Sequence, residues 1–191
     1  MSTTNKLPPY FLKIYNTEQK QRMDCATPTV KLRYEIIEEF INKNKYTTIA
    51  EIGCGMGYPA VYILENCPSI KEYIAIDPGP PHKNMGEKFE KEAFAQFESG
   101  KFLNTTSQQA VKMYPDEYFD FIYMDHLFHM SNETCILVAD IESWIPKMKS
   151  GGILCGHDSN YKHVREALNK VFGVTLQEII ERQNYIWWVK L

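Results

Sequence analysis

Ten residues from Glu51 to Asp158 have the types and spacing to do chemistry, and three of them are glycines. The run Ile49-Ala-Glu51-Ile-Gly53-Cys-Gly55-Met-Gly57-Tyr58-Pro59 reads as a strand that breaks into a glycine-rich turn and opens a helix. Glycine at 53, 55 and 57 lets the backbone turn tightly and lets a ligand approach where a side chain would collide. The amides of the following helix start would attract an anionic group, so a cofactor with an anionic end is expected. A dinucleotide fingerprint needs its third glycine at 58, where this chain has tyrosine, which disfavours NAD. Glu51, ahead of the first glycine, is a poor partner for pyrophosphate and a good one for an ammonium group. Asp77 ends the next apolar run twenty residues after Gly57, where a carboxylate can accept from both ribose hydroxyls. Together these residues point to a nucleoside cofactor that carries an amino acid.

Farther along the chain, Asp125 and His126 close the run Phe119-Asp-Phe-Ile-Tyr-Met, and His157 and Asp158 close Gly151-Gly-Ile-Leu-Cys-Gly. Asp125 and Asp158, at the ends of successive strands, could converge on one crevice and bind a divalent cation such as magnesium. The bland alternative is that Asp158 caps a helix while Asp125 binds cofactor or substrate. His126, His129 and His157 fall in loops at the same sheet edge, and each has a side chain able to take a proton near neutral pH. His129 is the preferred base, Asp125 and His157 complete the expected catalytic set, and His126 is assigned to the cofactor.

Such residues must be carried by an α/β scaffold. Short apolar runs, Thr47 to Ile52, Tyr73 to Ile76, Phe102 to Thr105, Phe119 to Met124 and Gly152 to Gly156, alternate with amphipathic segments, the pattern of βαβ units and a parallel sheet. Thr27 and Pro28 offer an N-cap and a first-turn proline to a helix that ends near Asn44. A second helix is expected from His163 to Phe172. Val174 to Ile180 and Tyr185 to Lys190 read as a terminal hairpin. With 191 residues and no linker or repeat, one domain over 1–191 is expected, with 1–44 as its helical cap.

Composition narrows the class. Hydrophobic residues are 44% and charged residues 24%, ordinary for a soluble globular protein, and a net charge of -3 without basic runs argues against nucleic acid as a partner. No run reaches membrane-spanning length and the start lacks a signal-peptide core, so no membrane is expected and the cytoplasm is the expected compartment. Five cysteines without a CxxC pair argue against a disulfide framework or zinc cage and are expected to be buried, reduced thiols. Self-association into a homo-oligomer is left open.

Glu51-Ile-Gly53-Cys-Gly55-Met-Gly57 together with Asp77 resembles the first two motifs of class I S-adenosylmethionine-dependent methyltransferases, and the match extends to Lys190. The ending Gly57-Tyr58-Pro-Ala-Val61 is similar to the corresponding turn of the catechol O-methyltransferase type. By this resemblance Tyr58 joins the cofactor set, and Thr106-Ser107-Gln108 falls where the family surrounds the adenine ring. Asp125-His126 matches the pair that faces the reaction centre, Gly151 to Asp158 the fifth-strand motif, and Trp187-Trp-Val-Lys190 the terminal strand. The resemblance implies a doubly wound, mostly parallel seven-stranded Rossmann-like sheet with an antiparallel last strand, and in-line methyl transfer from sulfonium sulfur. Catechol-type enzymes hold magnesium with a third ligand, an asparagine, where this chain has Ser159, and their base lysine has no equivalent here. The Asn/Asp-Pro-Pro-Tyr motif of amino-methylating enzymes is absent after the fourth strand, and Leu7-Pro-Pro-Tyr10 lies elsewhere, as a turn or lid segment. O-methylation of a small-molecule hydroxyl is therefore the leading expectation. An S-adenosylmethionine-binding protein of another class is the alternative, whether hydroxylase-like, aminopropyl transferase-like or a non-catalytic module.

Overall fold

The computed structural model describes residues 33–55, 57–78, 94–126, 134–173, 177–179 and 185–191. Its centre is a seven-stranded sheet built from β1 (Thr48–Ile52), β2 (Glu72–Asp77), β3 (Gly100–Asn104), β4 (Phe119–Met124), β5 (Met148–Gly156), β6 (Gln177–Ile179) and β7 (Ile186–Lys190). The order across the sheet is β3-β2-β1-β4-β5-β7-β6. Strands β1 to β5 run parallel, and β7 is antiparallel to both of its neighbours. The described helices are α1 (Arg33–Asn44), α2 (Tyr58–Asn66), α3 (Ser107–Ala110), α4 (Thr134–Trp144) and α5 (Lys162–Phe172). The doubly wound sheet with one antiparallel terminal strand is as expected. The stretch before Arg33, including Leu7 to Tyr10 and the Thr27-Pro28 cap, lies outside the described residues.

The central strands are apolar throughout because helices cover both faces, and strand periodicity sends alternate residues to opposite sides. Ile49, Tyr73, Phe121 and Tyr123 pack with Ile37, Ile41 and Ile63 of α1 and α2. Ala50, Ile74, Ile122 and Leu154 pack with Leu137, Trp144 and Leu168 of α4 and α5. Each such isoleucine or leucine contributes about 1.5–3 kcal/mol on burial, so a polar residue in these runs stands out. Glu51, fully buried in β1, is that residue.

β5 departs from the expected Gly152 start. It begins at Met148 and bulges, since Phe119 pairs with Met148 while Phe121 pairs with Ile153. Gly151 has φ +81, and a Cβ on Gly152 would press on the Asp120 carbonyl at 2.8 Å. The glycine pair thus carries the strand through a bulge where the sequence reading had placed its beginning. Cys54, Cys67 and Cys155 are buried as expected, with burial pushing the Cys67 thiol up to about 12, but Cys135 is exposed on the outer side of α4.

Candidate active site

Chain direction reverses between β1 and β4: β2 and β3 follow on one side, β4 and β5 on the other. In a doubly wound sheet the crevice above this switch point is where ligands bind. Every described residue singled out from the sequence lies at or beside this carboxyl edge.

The glycine turn leaves β1 here. Gly53 has φ +86, and a Cβ on it would overlap the backbone of His126 at the exit of β4. Gly53 is thus required by the close approach of two loops. Gly55, at φ +50, has no heavy atom near its missing Cβ, so its face of the turn is open. Gly57, also left-handed, precedes α2 without a side-chain cap. Asp77 is tied to this turn, since its Oδ2 accepts from Gly55 N at 2.9 Å. Tyr58 begins α2, and its side chain lies outside the described residues.

Beneath the turn, Glu51 Oε2 accepts from Tyr73 Oη at 2.9 Å while Oε1, buried, has no hydrogen-bond partner. Burial raises its pKa to about 8, the Tyr73 bond and Arg33 oppose the rise, and the carboxylates of Asp125 and Asp77 add to it. A buried carboxylate short of donors beside an open glycine turn fits the ammonium of an amino-acid-bearing cofactor. With Asp77 held at the next strand end, the residues present fit S-adenosylmethionine.

Around the exits of β3 and β4 lies a second group. Ser107 Oγ donates to Asp140 Oδ1 at 2.7 Å and accepts from Trp144 Nε1 at 2.8 Å. His126 Nε2 lies 2.8 Å from the other Asp140 oxygen. Gln108 is exposed on the first turn of α3.

Asp125 sits between the strand ends with its amide bonded to Ile52 O at 2.8 Å. Arg33 Nη1 lies 3.1 Å from its Oδ2, and His157 Nδ1 lies 3.8 Å from its Oδ1. Burial raises the Asp125 pKa, Arg33 and His157 draw it down, and Asp158 pushes it up again. His157 Nδ1 is 2.8 Å from Asp158 Oδ1, and its carbonyl accepts from Trp187 Nε1 at 3.1 Å. Asp158 does not cap α5, whose N-cap is Tyr161. It holds φ +66 instead, strain that a non-glycine residue keeps only where surrounding contacts impose it. Two carboxylates and an imidazole thus converge beside the glycine turn. His129 lies outside the described residues.

Sequence reading missed Arg33, Tyr73 and Asp140. Asp140 had a signal, being the one carboxylate on the otherwise apolar buried face of Thr134–Trp144, whereas nothing local marked Arg33.

Fold and site together define a class I methyltransferase. The family described as "Methyltransferase domain" matches residues 50–159, and the chain belongs to it. Solved structures agree in fold. An O-methyltransferase from Bacillus cereus in complex with SAH superimposes with a TM-score of 0.64 at 13% identity, over 96% of this chain and 92% of that one. The N-methyltransferase NodS from Bradyrhizobium japonicum gives 0.56 at 14%, over 82% and 91%. A SAM-dependent methyltransferase from Aquifex aeolicus gives 0.58 at 18%, over 82% and 87%. Against the first matching structures the chain spans from 65% to 92% of the neighbour's length. No curated protein matches it in sequence. Among the described residues no helix is long and apolar enough to cross a membrane. The cofactor is S-adenosylmethionine.

Proposed function

We propose that the chain methylates a hydroxyl oxygen of a small molecule, and that His157 takes the hydroxyl proton. The observation that carries this reading is the meeting of Asp125, His157 and Asp158, whose ligand atoms lie within 4.8 Å of one another at the edge shared with the glycine turn. S-adenosylmethionine supplies an electrophilic methyl group on sulfonium sulfur. The protein must bring the hydroxyl into line with it and remove the proton as the O–C bond forms. With Nδ1–H directed at Asp158, the neutral imidazole of His157 has Nε2 as its acceptor, the arrangement in which a carboxylate orients a base. Asp125 is placed to hold the hydroxyl, its charge balanced by Arg33. The absence of an Asn/Asp-Pro-Pro-Tyr motif supports oxygen over nitrogen as the acceptor atom.

A divalent cation on Asp125 and Asp158 is a second reading, favoured by the same clustering of ligand atoms. It requires Arg33 to leave Asp125, and an imidazole among the ligands departs from the all-oxygen octahedron that magnesium takes. No step is derived through it.

Methyl transfer across a library of phenols, catechols and sugars tests the acceptor class. With the best acceptor, His157→Ala should lower turnover about 10² to 10⁴-fold and leave cofactor affinity near wild type. Wild-type turnover in His157→Ala with a matching loss in His129→Ala would move the base to His129. Full activity after metal stripping, checked by elemental analysis, would remove the cation reading.

A further inference from the structure

Glu51 is 0% exposed, and its surroundings are poor in everything that keeps a carboxylate ionised. Oε2 receives one hydrogen bond, from the Tyr73 hydroxyl, and Oε1 receives none. From β2 it feels the Asp77 carboxylate as well as Tyr73, from β4 the Asp125 carboxylate and the hydroxyl of Tyr123, its partner in strand register, and from the turn the Cys54 thiol. Among the described residues the cation that acts on it is Arg33 of α1, whose Nη1 lies 3.1 Å from Asp125 Oδ2. α1 and α2 add Tyr34 and Tyr62, with ring centroids 4.6 Å apart and the Tyr62 hydroxyl given to Glu38, and the apolar Ala60 and Ile63.

A carboxylate taken out of water stays ionised when several donors or a counter-ion replace its hydration. Glu51 has a single neutral donor and two carboxylates acting against its charge, so the neutral carboxyl is the less costly form. Burial accordingly lifts its pKa to about 8. An ammonium reverses that balance, because it donates to the orphan Oε1 and supplies the missing positive charge. The way in is the turn above, where the Gly55 face is open.

We infer that the ligand-free protein holds Glu51 as a neutral carboxyl and that the cofactor's ammonium displaces its proton, so that each binding event releases one proton to solvent. The inference rests on the reading that the amino-acid end of S-adenosylmethionine meets Glu51. The O–H bond of Glu51 breaks and its proton passes to the buffer. The ammonium keeps all of its own protons and donates an N–H to the carboxylate so formed. Cofactor affinity is thereby tied to pH: below the folded pKa a proton must leave before the ion pair forms, so binding strengthens as pH rises toward it.

The experiment is calorimetric titration of the full chain with S-adenosylhomocysteine in phosphate and in Tris, whose different ionisation enthalpies reveal the number of protons released. Wild type should release about nine-tenths of a proton per ligand at pH 7, the protonated fraction of a group that titrates at about 8. Its affinity should rise about ninefold from pH 6 to pH 7. Glu51→Gln should bind more weakly, release close to no proton and lose that pH dependence. 5′-Methylthioadenosine, which shares the nucleoside and lacks the amino acid, should bind wild type without releasing a proton. Tight binding of S-adenosylhomocysteine with no proton released overturns the inference, and so does the same release in Glu51→Gln or with 5′-methylthioadenosine. Should Glu51→Gln fail to fold, the proton count and the two ligands on wild type decide. Failure of wild type to bind S-adenosylhomocysteine at all would remove the cofactor reading, whereas binding without proton release removes the inference alone.

Discussion

Strand β4 carries an aspartate near its beginning and another just past its end, and the two live in opposite environments. At the amino end, Asp120 Oδ2 accepts from Thr47 N, Thr47 Oγ1 and Thr48 N, each at 2.9 Å, and Oδ1 meets Lys149 Nζ at 2.9 Å. Its burial alone would raise the pKa, but these donors outweigh it and the carboxyl titrates below its usual range. At the carboxyl end, burial wins for Asp125 despite Arg33, and it wins for the neighbouring Glu51 too. Asp120 is saturated with protein donors, whereas Glu51 keeps one buried oxygen without any. The difference separates a group that stabilises the fold from groups left to bind something else.

The largest expected consequence lies at the saturated edge. Asp120→Asn loses the charge that Lys149 and the threonine amides surround, and should destabilise the protein by about 2–3 kcal/mol at pH 7, a fall in Tm of roughly 4–12 °C. The sign with pH follows from the lowered folded pKa: the stabilisation is complete above the unfolded aspartate value near about 3.9 and is lost as pH falls through the folded one. Urea melts at pH 7 and at pH 2 check this. Equal stability of variant and wild type at pH 7 would break the comparison.

A somewhat smaller effect is expected on ligand binding at the unsaturated edge. Glu51→Gln should weaken S-adenosylhomocysteine by roughly tenfold to thirtyfold, because the amide cannot neutralise an ammonium. Calorimetry reads it directly, and unchanged affinity would detach Glu51 from the cofactor.

The last expected effect has the opposite sign to that of Asp120. Folded Glu51 titrates at about 8, above the unfolded carboxylate, so the folded state holds the extra proton and stability declines as pH rises from the unfolded value through 8. Glu51→Gln removes that decline, so the ligand-free variant should melt higher than wild type at pH 9. The two should converge near pH 4. A lower Tm for Glu51→Gln at pH 9 would show that Glu51 is held by donors, as Asp120 is.

Much of the scaffold was legible because its signals are short in range. The five parallel strands, the terminal hairpin and the helix near His163 follow from alternation and apolar runs, and the observed ends differ by four residues at most. The largest of these shifts, at β5, came from Gly151 and Gly152, which read as a strand boundary until the pairing with β4 shows a bulge. The site was legible in its positions more than in its partnerships. Asp77 was found from spacing, but its bond to Gly55 N was not. Asp158 read equally as a helix cap or a metal ligand, and the structure gives it to His157.

What the amino-acid sequence determined by itself is where the backbone turns and which strand ends carry polar groups. Steric freedom at Gly53, Gly55 and Gly57 and the period of apolar residues act within a few positions along the chain. Only the tertiary structure decided why Gly53 must be glycine, since the obstruction is the backbone of His126, seventy-three residues later. It alone decided that Arg33 faces Asp125, that Asp140 joins Ser107 to His126, and that Glu51 holds its proton to about 8. Desolvation and charge pairing depend on distance through space, and the groups that set them here come from strands and helices far apart in the chain.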